Sequence, residues 1–113
     1  MSLDIVALLS RQPDPAAMLR GVTGPNGPLD VRQEAGAVHM HDPGGPLLVS
    51  VEEPVLVEVP GEPERLLGAA VPTPVWWVEI RAAAGPDQAG LLARGIADEF
   101  VRRYGGTVWA GRP

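Results

Sequence analysis

The sequence predicts a single α+β domain over residues 1–113, in which a mainly antiparallel β-sheet carries two helices on one face. Two patterns lead to this fold class. Short apolar segments separated by turn residues, which are typical of antiparallel strands, fill the middle of the chain. A long stretch between residues 86 and 104 repeats its apolar residues with the period of an α-helix. The length of 113 residues is close to the commonest size of one domain, so we expect no division of the chain.

The N-terminal part predicts a strand followed by a short helix. Residues 4–9 (DIVALL) form a short apolar run, and a helix signal follows at once, which favours a strand. Asp14 is a residue type that caps helices, Pro15 suits the first helical position, and Gly21 suits the position after the helix. We therefore predict a strand over 4–9 and a helix over 15–20.

The middle of the chain predicts a β-meander of three connected hairpins. Turn-forming residues occur at 35–36, 42–45 and 52–54, and they separate segments of apolar and β-branched residues. The predicted strands are 31–34, 37–41, 47–51 and 55–59.

The predicted hairpins bring apolar side chains opposite one another. The first turn sets Val31 opposite Met40, and the second sets Met40 opposite Leu47. The third sets Val51 opposite Val55, so the fourth strand is expected to pair with the third. Because side chains alternate between the faces of a strand, this register collects apolar residues on one face.

The last part of the chain predicts a strand, a long helix and a final strand. Residues 60–68 are predicted to form one helical turn or a compact loop. Residues 75–81 (VWWVEIR) are rich in β-branched and aromatic side chains, which favour a strand. The helix predicted over 86–104 has one apolar stripe and an opposite charged face, and two glycines end it. A last short strand is predicted at 107–109.

The order of these elements is strand and helix, a meander, then strand, helix and strand. It resembles the ferredoxin-like split β-α-β arrangement, in which the strands that lead into the two helices lie at the centre of the sheet. Segments 4–9 and 75–81 are the most apolar strands, as a central position requires. The meander adds strands beyond the minimal fold, so we expect an enlarged variant.

The composition excludes several classes of protein. The chain has no cysteine, which excludes disulfides and thiolate metal sites. Its net charge is -5 and its nine cations are scattered, whereas nucleic-acid binders need a basic surface, so no nucleic-acid partner is expected. No stretch approaches the roughly 20 apolar residues that span a bilayer, so we expect no membrane partner and a cytoplasmic location. No cofactor motif is present, and no cofactor is expected.

Few polar residues are candidates for a ligand site. His39 and His41, the two histidines, lie two apart on a predicted strand and therefore point to one face. Together with Glu58 on the same meander they are candidate ligand-binding residues. They do not supply the closed set of three or four ligands that a metal needs, so no metal site is predicted. The glutamates between residues 52 and 64 are interpreted as solvated surface.

Apolar residues on the face that the two helices leave open give a stronger indication. Side chains alternate along a strand, so Trp77 faces away from the helices if Trp76 faces them. By the same alternation, Leu48, Leu56 and Trp109 are predicted to lie on the open face. The first strand is apolar on both sides, which indicates that both faces of the sheet are covered. We predict that a partner covers the second face. In the alternative, the indoles pack beneath the chain's own Gly/Pro-rich loops.

Three segments carry a resemblance to known sequences. VWWVEIRA, GGTVW and LVSVEEPVLVEVPGEPERLLG resemble parts of short uncharacterised actinobacterial proteins. Nine arginines and no lysine, with abundant Ala, Gly and Pro, indicate a GC-rich genome, as in an actinobacterium. The resemblance implies no named activity and no catalytic residues.

The sequence therefore favours a non-enzymatic protein-interaction module that forms a homodimer through the open face of its sheet. One alternative is a small-molecule-binding protein or small enzyme, with a pocket between sheet and loops that uses the two histidines and Glu58. A second alternative is an accessory or immunity-type partner of another protein.

Overall fold

The computed structural model of the chain describes residues 3–24, 26–68, 71–85 and 87–110. The described part contains nine strands and three helices. The strands are β1 (Leu3–Leu9), β2 (Thr23–Gly24), β3 (Gly27–Pro28), β4 (Asp30–Glu34), β5 (Ala37–His41), β6 (Leu47–Val51), β7 (Val55–Val57), β8 (Val75–Ala82) and β9 (Gly106–Ala110). The helices are α1 (Pro15–Leu19), α2 (Glu62–Leu67) and α3 (Asp87–Tyr104). The α+β fold class predicted from the sequence is confirmed.

Seven of the strands form one sheet in the order β4-β5-β6-β8-β1-β9, and β7 also pairs with β8. Each strand pairing described in this sheet is antiparallel, as predicted. β2 and β3 form a separate two-stranded ribbon. β1 lies between β8 and β9, and this inner position explains why residues 5–9 are all buried.

α1 and α3 pack on the same face of the sheet, where the main hydrophobic core lies. Met18 and Leu19 of α1 and Phe100 of α3 are buried in this core together with alternate residues of the strands. The Asp14 carboxylate caps α1 by accepting a hydrogen bond from the Ala17 N–H, with 3.2 Å from nitrogen to oxygen. The short helix is thus capped by Asp14 as its sequence predicts, and its two buried residues belong to the main core.

The chain turns sharply from α3 into β9. Gly105 has a φ of 75°, which favours glycine, and its N–H donates to the Val101 carbonyl over 2.8 Å. The Gly105 carbonyl accepts from the Ser10 N–H over 2.9 Å, which ties the turn to the end of β1. The helix therefore ends at the predicted position, and β9 is delivered alongside β1.

The first predicted hairpin, between β4 and β5, is confirmed with its register. Ala35 and Gly36 form its turn with φ values of 50° and 83°, the conformation that matches the twist of a tight hairpin. Val31 lies opposite Met40, as predicted.

The register of the second hairpin, between β5 and β6, is wrong in the prediction. Met40 lies opposite Val49, two residues beyond its predicted partner. The loop is shorter than predicted, because the Asp42 N–H already donates to the Pro46 carbonyl over 3.0 Å. A β-bulge then takes up one further residue, Leu48, on β6.

The third predicted hairpin does not form. β7 does not fold back onto β6, because both strands pair with the same edge of β8, β6 with residues 80–82 and β7 with residues 75–77. β6 and β7 therefore follow one another along β8, and the segment between them contains one extra residue, a β-bulge. Pro54 lies at this point and has no N–H to donate to the ladder. The Glu52 N–H still donates to the Glu79 carbonyl over 2.9 Å.

The described residues contain three helices, not the two predicted. The additional helix, α2, lies where one helical turn or a compact loop is predicted, and it ends at Gly68, which has a φ of 71°. None of these three helices combines the length and apolar character that crossing a bilayer requires.

Candidate interaction face and groove

The face of the sheet opposite α1 and α3, here called the open face, carries a second apolar cluster. Its buried members are Val6, Leu8 and Val75. The half-buried side chains that pack on it are Val57, Val71, Trp77 and Trp109. β1 is therefore apolar on both sides, as the sequence predicts, because its alternate residues contribute to two separate clusters.

The two indoles lie on the predicted face. Trp77 is opposite Leu8 on one side and opposite Val55 on the other, and Trp109 is opposite Val6. The segment that precedes β8 packs on the same cluster, so the chain's own loop covers part of this face. Both indoles remain half-buried. The loop therefore shields the cluster only in part.

A groove of about 720 Å³ opens beside Trp77 on the open face. Val55 and Val57 of β7 line it together with Trp77 of β8. Ala35 in the turn between β4 and β5 bounds one side, and Glu62 at the start of α2 bounds another. Because β4 and β5 end at their turn, no described strand lies on the outer side of β7, and the groove occupies this notch.

The groove is acidic. Its charged lining residues are Glu52, Glu53, Glu62, Glu79 and Arg81. The hydrogen bond from the Arg65 guanidinium lowers the pKa of Glu62 below its usual value of 4.5, and Glu62 in turn raises the pKa of Arg65. This ion pair offsets the charge of Glu62, so the negative charge of the groove rests mainly on Glu52 and Glu53.

The single arginine of the groove is already paired. The Arg81 guanidinium lies 3.3 Å from a Glu79 carboxylate oxygen and 3.9 Å from one of Asp4. The other oxygen of the Glu79 carboxylate accepts a hydrogen bond from the Trp77 Nε1–H over 3.3 Å. This contact orients the indole, and the pairing leaves the groove with an excess of negative charge.

Two of the four predicted surface residues are placed elsewhere by the structure. Leu48 is only 1% exposed and belongs to the main core, because the bulge at this residue directs its side chain away from the predicted face. Leu56 is 40% exposed, but it lies opposite Trp76 and therefore shares the helix-side face. The Leu48 error follows from the assumption of a ladder without a bulge, and the Leu56 error follows from the predicted hairpin between β6 and β7, which does not form.

The candidate ligand residues do not converge on one site. His39 and His41 share a face of β5, and His41 lies opposite Asp30. Glu58 lies just beyond Val57, which pairs at the far end of β8. Along β8, the position level with His39 and the position level with Val57, beside Glu58, are about six residues apart, or roughly 20 Å. No group of three or more residues that could hold a metal ion occurs among the described residues.

A row of polar residues crosses five strands of the open face, and the sequence alone did not predict it. The row consists of Arg32, His39, Ser50, Arg81 and Asp4, each opposite the next. It depends on the pairing of β5 with β6 and of β6 with β8, which no local pattern specifies. The row makes one half of the open face polar, and its member Arg81 also borders the groove, which lies with the apolar cluster on the other half.

Comparisons with protein-family models, with curated proteins and with solved structures find no match for this chain.

Proposed function

We propose that this chain is a non-enzymatic protein-interaction module that binds another protein through the groove on its open face. The observation that carries the proposal is the groove of about 720 Å³ in the notch beside β7. The half-buried Trp77 and the exposed Val55 both line it. Apolar patches with a polar rim are typical of binding sites. Tryptophan is enriched among the residues that dominate binding energy at interfaces.

The negative charge of the groove favours a different protein, and not a second copy of this chain, as the partner that binds there. In a two-fold dimer the same patch meets itself, so the acidic groove of one copy would lie against that of the other. Like charges brought together at an interface oppose association. The homodimer expected from the sequence is tested by sedimentation velocity at micromolar concentration. A dimer that dissociates on substitution Trp77→Ala would favour it over our proposal.

The small-molecule alternative receives less support from the arrangement of side chains. His39, His41 and Glu58 do not line the groove, and the Arg81 and Glu79 groups inside it bond to each other. A thermal-shift screen with metals and metabolites tests this alternative, because a stabilisation that is lost in His39→Ala would favour it.

We also propose that the sheet is an enlarged form of the ferredoxin-like split β-α-β arrangement, in a cytoplasmic protein. The strand order supports the fold: β8 and β9, joined by α3, flank β1, and β6 lies on the other side of β8. In this view β4 and β5 extend the sheet beyond β6. The accessory or immunity-type role expected as an alternative is compatible with a module that binds one protein partner.

Selection from a random-peptide display library tests whether the groove binds polypeptide. We expect peptides enriched on the wild-type chain to lose binding to Val55→Asp, which puts a charge at a position that is 57% exposed at the groove. The matched control is Leu91→Asp, at a position on α3 that is 72% exposed. Peptides that bind both variants equally, or no enrichment at all, would contradict the proposed function.

A further inference from the structure

The outer edge of β7 is an unpaired strand edge, as are the outer edges of β4 and β9 in the described part of the sheet. β6 is paired on both sides, with β5 and β8, whereas β7 is paired with β8 alone. An unpaired edge presents backbone N–H and C=O groups that can pair with another chain. The notch beside β7 therefore leaves room for one further strand.

Exposed apolar side chains are concentrated at this edge. Val55, Leu56 and Val59 are 57%, 40% and 63% exposed, and they account for three of the five exposed large hydrophobic residues among those described. Natural proteins usually protect an edge with charges. The edge strand β4 follows this rule, with Asp30, Arg32 and Glu34 exposed along it. β7 has no charged residue between its ends.

The walls of the notch specify the charge of the segment that pairs there. Four carboxylates line the groove; Arg81 pairs with Glu79 and Arg65 pairs with Glu62, so these six groups carry an excess of two negative charges. Trp77 lies among them, and an indole face attracts a cation. Carboxylates around an aromatic ring favour the guanidinium or ammonium group of a partner's side chain.

We propose that the groove takes an extended, basic segment of a partner protein, which adds to the sheet as a strand beside β7. This inference rests on the proposed function and names the chemistry of its partner. Strand addition gains affinity from main-chain hydrogen bonds, and pockets for alternate side chains give specificity. Side chains of the added strand alternate, so one set enters the acidic groove by Trp77 and the other set lies on the side of Leu56. The segment therefore alternates basic and apolar residues.

The length of β7 limits the size of this contact. Three residues of strand span about 10 Å, so about three or four residues of the partner pair with it. An interface this small belongs to the weak, transient class. Its affinity depends on salt, because much of the attraction is between exposed charges.

Nuclear magnetic resonance titration with three capped hexapeptides tests the proposal on the unmodified chain. The first alternates valine and arginine, the second alternates valine and glutamate, and the third is the arginine peptide with its backbone amides methylated. We expect the first to shift the amides of β7 and the indole N–H of Trp77, with weaker binding at high salt. We expect the second to cause no shift, since its charges are repelled, and the third to cause none, since it cannot donate to the edge.

Substitution of the groove glutamates gives a second test. Glu52→Gln and Glu53→Gln are expected to weaken binding of the arginine peptide by roughly twofold to fivefold for each charge removed. The control is Glu64→Gln, an exposed residue of α2 that does not line the groove, and it should leave binding unchanged.

The outcomes separate this inference from the proposed function. If the methylated peptide binds as well as its parent, or if shifts map to another surface or do not occur, strand addition by a basic segment is wrong. The display selection can still succeed in that case, with peptides of other composition that depend on Val55. If both experiments fail, the open face is not a peptide-binding surface.

Discussion

Gly106→Ala is expected to be among the most destabilising single-methyl changes in the chain. Gly106 begins β9 with a φ of 132°, which L side chains rarely adopt, and a Cβ atom there would lie 1.9 Å from the Leu8 carbonyl oxygen. The oxygen belongs to the inner strand β1, which is paired on both sides and cannot move aside. Backbone strain of this kind costs about 1–3 kcal/mol, and overpacking adds about 1–3 kcal/mol. We therefore expect a loss of about 2–6 kcal/mol in the free energy of unfolding.

Thermal unfolding measures this loss, at about 4 °C per kcal/mol for a domain of this size. The expected fall in Tm is about 8–24 °C, with a red shift of tryptophan emission as β9 and Trp109 detach from β1. The control is Gly95→Ala on the exposed side of α3, where a Cβ atom meets nothing within 4 Å. Alanine favours a helix over glycine by about 0.5–1 kcal/mol, so this Tm should rise slightly. A Gly106→Ala protein as stable as the wild type would refute the placement of β9 against β1.

Two further predictions follow from the core and from the surface charges. Leu48→Ala should lower the free energy of unfolding by about 2–5 kcal/mol, because it leaves a cavity in the core. Leu56→Ala, at an exposed position, should change this free energy by less than about 0.5 kcal/mol. Urea unfolding measures both, and equal effects would contradict the bulge at Leu48. Hydrogen bonds from Arg102 and Arg103 lower the pKa of Glu99 from 4.5 to about 2, so the stability it contributes is present above pH 4.5 and is lost as the pH falls towards about 2. Glu99→Gln should therefore lose less stability on acidification than the wild type, and parallel pH profiles would show that Glu99 contributes nothing.

Two of the three described helices and most strands were predictable because their signals are local. The apolar stripe of α3, the glycine that ends it and the cap of α1 each depend on residues within a few positions of one another. The turn at Ala35 and Gly36 likewise fixes the register of its own hairpin. Such features need no knowledge of the rest of the chain.

The errors lie where a local signal has two possible outcomes in space. The segment around Pro54 predicts a break in a strand, but a break is compatible with a hairpin and with a bulge. The structure has the bulge, because β8 offers one long edge that both β6 and β7 can pair with. This choice directs Val55 and Val57 to the open face and creates the groove that the sequence did not reveal.

The sequence by itself determined most of the strands, two of the three described helices, and that both faces of β1 are apolar, because alternation and helical period are properties of neighbouring residues. Only the tertiary structure decided which strands are neighbours, which side of the sheet Leu48 and Leu56 occupy, and that an unpaired edge borders an acidic groove. The physical reason is that strand pairing joins residues far apart in the chain. A shift of one residue in that pairing moves a side chain to the opposite face.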